Sequence, residues 1–131
     1  MATTTTSTFT ALGGKLVVND DLGGTDQTVA DNVTGATSGK IFVVQINNLL
    51  NSDPLLLKIR DGADATPSET GTNGDGTPHL MFYAPAGKTI SYVIPKGHAY
   101  AAGVSMWCTS SAVVGTEDNP SENVTVTLIC S

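Results

Sequence analysis

Charge is what this chain is short of. Charged residues fill 14% of its 131 positions, against roughly a quarter in ordinary soluble domains. Six are Lys or Arg and twelve are Asp or Glu, for a formal charge of −6. An acidic chain without a basic cluster repels phosphate backbones, which argues against nucleic acid as a partner. No stretch approaches the roughly 18 consecutive apolar residues that a membrane span requires. The opening, MATTTTSTFT, lacks both a basic n-region and an apolar h-region. It does not read as a secretory signal, and the expectation is synthesis and folding in a cytosol. Two cysteines are too few for a disulfide framework. No helical period persists over a dozen residues.

What is present favours strands. Apolar residues make up 40% of the chain. Thr and Ser supply the polar faces that Lys and Glu usually provide, and Thr, being β-branched, packs well on a pleated surface. At this length one domain buries roughly two-thirds of its unfolded surface and needs no metal or disulfide to fold. Few charges on such a chain also suggest that neighbouring molecules claim part of its exterior.

Short apolar runs recur between Gly, Pro, Asn and Asp. Residues 15–19 and 27–32 are candidates, and residues 40–50 (KIFVVQINNLL) form the strongest run, with Phe42, Val44 and Ile46 on one face. Leu55, Leu57 and Ile59 alternate with Leu56, Lys58 and Arg60. Residues 79–83, 89–94, 103–110 and 123–130 complete the series, with Val124, Val126, Leu128 and Cys130 in one phase. Residues 84–87 and 95–97 read as tight turns, and residues 61–78 as a long loop. Seven or eight such strands predict an all-β fold, an antiparallel β-sandwich of jelly-roll type. Residues 1–14 read as an extended N-terminal arm anchored by Phe9, and residues 15–131 as a single domain.

Each chemical motif has a plainer reading. Gly87-Lys88-Thr89 resembles the end of a phosphate loop. Phe82 stands where that motif needs its first Gly, however, and a strand follows where it needs a helix, so the sequence reads as a hairpin turn. Asp61, Asp64, Glu69, Asn73 and Asp75 concentrate oxygen ligands, but their spacing misses the calcium-loop pattern, which leaves a solvated or partner-contacting loop. His79 and His98 each lie beside a turn, and zinc would need Cys108 or Cys130 to join them. Both cysteines share a phase with Val, Met and Leu and read as buried hydrophobes; a Cys108–Cys130 disulfide requires adjacent strands. No nucleophile, paired carboxylates or activated thiol can be nominated, so no enzyme, metal or cofactor is expected. Trp107 lies on the phase opposite Val104, Met106 and Cys108, which places it in a second core or on a partner-facing surface. A carbohydrate-binding module stays open as a rival and requires Trp107 or Tyr100 to be exposed.

Residues 58–109 carry a resemblance. The segments KIRD, TPH, FYAPAGKT, IPKGHAY and GVSMWCT resemble small virion proteins of tailed phages, including those that decorate or cement the capsid shell. About half of the chain shares these turn and strand signatures, and the first forty residues share none. The resemblance implies a β-sandwich bound to the outside of a phage head, with the major capsid protein as partner. It also implies homo-oligomerisation, a trimer before other stoichiometries, and transfers no catalytic residue. A tail, neck or fibre component is the neighbouring alternative. The contacts expected on this reading are Thr3, Thr5, Phe9 and Leu12 in the arm, Asp64, Asn73 and Asp75 in the long loop, and Trp107.

Overall fold

The computed structural model of the chain describes residues 4–9, 14–23, 29–67, 76–110 and 119–131, with the backbone alone for 4–9 and Asp21. Every paired strand runs antiparallel to its neighbour. In chain order they are β1 (Thr4–Phe9), β2 (Gly14–Gly23), β3 (Gly39–Asn47), β4 (Leu55–Asp61), β5 (Leu80–Ala84), β6 (Thr89–Tyr100), β7 (Val104–Thr109) and β8 (Asn123–Cys130). They form a five-stranded sheet ordered β1-β2-β8-β3-β6 and a three-stranded sheet ordered β5-β4-β7. One apolar cluster fills the space between the sheets, with Val17, Val44, Ile46, Leu57, Met106, Val126 and Leu128 fully enclosed. The fold is the antiparallel β-sandwich that the alternating runs predict.

The alternation of β4 and β8 holds as expected: Leu55, Leu57 and Ile59 face the core, as do Val124, Val126, Leu128 and Cys130. In β3 it does not. Ile41, Val44 and Ile46 are buried, while Phe42 is only half-buried. The register of β3 shifts between Ile41 and Val43 against both neighbours, so an irregularity breaks the period of two. The same shift explains β6. Residues 95–97 do not end that strand; Gly97 turns through a φ of 72° and the pairing resumes to Tyr100.

The edges are treated differently. On β7, Ala30 exchanges both backbone hydrogen bonds with Met106, and the Val33 N–H donates to Val104, so the connection between β2 and β3 closes that edge. The segment expected as a free arm lies along β2 as β1, from Thr4 opposite Asn19 to Phe9 opposite Gly14. At the opposite side of the sandwich, Phe82 and Tyr92 stack with ring centroids 5.1 Å apart, and the Tyr92 hydroxyl donates to the Tyr83 carbonyl. Among the described residues, β6 has β3 as its one neighbour.

Candidate functional site

The broadest feature is the outward face of the five-stranded sheet. Because Val17, Leu128, Val44 and the other alternate residues point into the core, the intervening ones point away from it. The register lines them up in rows across the strands. Leu16 stands opposite Ile129, Ile129 opposite Val43, and Val43 opposite Val93. This apolar row ends at the sheet edge on Val93, which is 69% exposed, and includes Ile129 at 40%. Two residues along, Val18, Thr127, Gln45 and Ser91 form the next row, where Gln45 Nε2 donates to Ser91 Oγ at 3.3 Å. Beyond it, Thr125, Asn47 and Thr89 are aligned. No residue of these three rows is charged, on a chain whose formal charge is −6. Such a face offers Thr, Ser and Gln hydrogen bonds around a strip of aliphatic surface, the composition of a contact surface rather than of a solvated one.

A second cluster gathers at the end of β4. The Asp61 carboxylate accepts hydrogen bonds from Ala101 N–H at 2.9 Å and from Ala102 N–H at 2.8 Å. The Asp61 N–H donates to His79 Nδ1 at 2.9 Å. Burial raises the carboxyl pKa, but the N–H groups of Ala102 and Ala101 and the nearby His79 outweigh it and hold Asp61 below its ordinary value. His98, Arg60 and Tyr100 line the same depression. The cavity they share is about 10 Å³, room for one water at most. The arrangement fastens the turn between β6 and β7 to β4 and leaves no space for a substrate.

The expected contact residues are dispersed. Thr3, Leu12, Asn73 and Asp75 lie outside the described residues. Thr5 and Phe9 belong to β1 on the larger sheet, whereas Asp64 is exposed in the connection that follows β4 of the smaller one. Trp107 requires a correction. It is fully buried, as is its cross-strand neighbour Lys58, although both occupy the outward phase of the three-stranded sheet. In the connection after β4, Ala65, Pro67 and Gly76 are buried too, and Arg60 Nη1 donates to Thr77 O at 2.8 Å. Trp107 therefore belongs to a second buried layer and offers nothing to a partner. Tyr100, at 3% exposure, is buried as well, so neither ring that a carbohydrate platform needs is available.

Cys108 and Cys130 are free and buried, on strands of different sheets, so the adjacency that a disulfide needs is not met. Burial pushes both thiols above their ordinary pKa. Of the oxygen-rich loop, Asp61 is committed to Ala101 and Ala102, and Glu69, Asn73 and Asp75 lie outside the described residues. Among the described residues, no group of three His, Cys, Asp or Glu is placed to hold a metal ion.

Two features escaped the sequence reading. The aligned rows depend on a register among strands far apart in the chain. Asn48, inside the strand run 40–50, and Asn51, just past its end, tie loops together: Asn48 Nδ2 donates to the carbonyls of Asp53 and Pro85, and Asn51 Oδ1 accepts from Glu122 N–H. The Asn-rich composition at the end of the strongest strand was the available signal. Compared with known proteins, the chain matches no family model, no curated protein and no solved structure.

Proposed function

We propose that this chain is a structural virion protein that decorates a phage head, binding the outside of the shell and bridging units of the major capsid protein. The observation that supports it most is the set of uncharged rows on the outer face of the five-stranded sheet, with their strip of Leu16, Ile129, Val43 and Val93. A ligand that binds only the assembled shell stabilises assembly by mass action, so such a protein needs a contact surface and no active site.

Purified particles provide the test. A mass-spectrometric inventory should find the chain in numbers proportional to the major capsid protein; a handful of copies per particle assigns it to the tail, and none sinks the proposal. For particles depleted of the protein, Ile129→Glu should weaken re-attachment by about tenfold or more, because it sets a carboxylate in the apolar strip. Ile129 is partly exposed and outward, so this variant should fold normally. Undiminished attachment moves the contact to another face.

A further inference from the structure

β6 ends the five-stranded sheet, and the side that no described strand pairs has a definite chemistry. The Asn48 N–H donates to the Lys88 carbonyl at 2.9 Å, extending the register in which Asn47 faces Thr89. In an antiparallel ladder, directly hydrogen-bonded pairs alternate with non-bonded ones. Ile46–Ile90 and Val44–Tyr92 are therefore bonded pairs, and Thr89, Ser91 and Val93 turn their N–H and C=O groups away from β3 toward the open edge. These three residues are exposed, uncharged and on the outer face. Pro95, next in the same phase, has no N–H to offer and so bounds the available segment.

We infer that two copies of this chain join edge to edge through β6, running antiparallel across a two-fold axis at Ser91, to make one continuous ten-stranded sheet. The register follows from the residues. With Ser91 opposite its own copy and Thr89 opposite Val93, each opposed pair exchanges two backbone hydrogen bonds, and Pro95 is not called on. Moving the axis one residue toward the proline sets Lys88 opposite Lys96 of the other copy and puts a residue without an N–H into the ladder. Moving it two residues loses donors outright. The Ser91 register also covers Val93, the exposed end of the apolar row, by setting it against Thr89 of the second copy. An isologous contact of this kind closes at two copies. It makes the free protein a dimer in place of the trimer that the resemblance implies, and it does not depend on attachment to a capsid.

The test uses the full-length chain in solution. Sedimentation across a concentration series should show a monomer–dimer equilibrium. Ser91→Pro removes an N–H that points away from β3, so it spares the sheet while raising the dimer dissociation constant by at least about thirtyfold. Val93→Lys, at an exposed outward position, should weaken the dimer similarly; it carries the test if the proline variant fails to fold. Cysteine pairs check the register, since the native thiols are buried. Ser91→Cys places two sulfurs on residues whose Cα atoms are about 5.5 Å apart, within disulfide range. Thr89→Cys leaves its copies about 14 Å apart. Mild oxidation should link the first and not the second. A monomer at every concentration, a trimer, a dimer unchanged by Val93→Lys, or equal cross-linking of the two cysteine variants overturns the inference.

Discussion

Asp61 sits at the junction of β4 with the turn that joins β6 to β7, and its charged form accepts the Ala101 and Ala102 N–H groups. Because its folded pKa lies below the ordinary value of 3.8, the charged form favours the folded state. That contribution is complete above the unfolded pKa and is lost as pH falls through the folded one. Asp61→Asn should therefore cost about 1 kcal/mol at neutral pH, a figure reduced for solvent exposure. Thermal melts of the two proteins should converge below about pH 4; a gap that persists at pH 2.5 would assign the loss to packing instead. The sequence groups Asp61 with the oxygen-rich residues of a solvated or partner-contacting loop, since composition shows which atoms could bind and not which are already bound. Of the two places that phase leaves open to Trp107, the second core is the one it takes. Period-two phase separates the two faces of a strand, but which of them other segments bury is settled by packing between distant parts of the chain.

At the level of strands, the decisive detail is the shift in β3 and the kink in β6 facing it. Gly97 adopts a φ of 72°, and a Cβ there would stand 2.8 Å from Phe42 Cε1 and 2.9 Å from Lys40 Cβ. Gly97→Ala should destabilise the fold by about 2 kcal/mol, from left-handed strain plus displacement of Phe42. Equilibrium unfolding in denaturant checks it, and a change under 0.5 kcal/mol would show the kink to be soft. Strands without an irregularity were legible: β4 and β8 bury the very residues their alternation selects. β3 departs from its expected phase at Phe42 because it carries one residue more than β8 between two aligned pairs, and β6, with three more than β3 there, runs past Pro95 instead of ending at it. A Gly between Lys96 and His98 looked like a turn, its ordinary meaning.

For the molecule as a whole, sandwich architecture was readable from strand spacing and turn residues, whereas the surfaces were not. The outer rows join β2, β3, β6 and β8, which lie far apart in the chain, so the alignment of Leu16 with Ile129 and Val93 exists only after folding. The lack of charge was visible as a percentage from the outset; its concentration on one face was not. The same holds for the edges, where the connection after β2 shields β7 and, among the described residues, β6 is left open. Which strand ends a sheet is a property of topology, and topology is set by packing between segments that sequence patterns treat singly.

Adjacent rows without ions on the outer face have a bearing on how the protein would be handled. Attraction between opposite charges fades in concentrated electrolyte, where the Debye length shrinks to about 3 Å at 1 M. Contacts built from valine, isoleucine and threonine carry no such sensitivity. Washing particles with 1 M sodium chloride should strip proteins retained by ion pairs and leave this one attached, while sulfate, which strengthens apolar association, should tighten its hold. Quantitative release by sodium chloride would place the grip on the acidic remainder of the molecule.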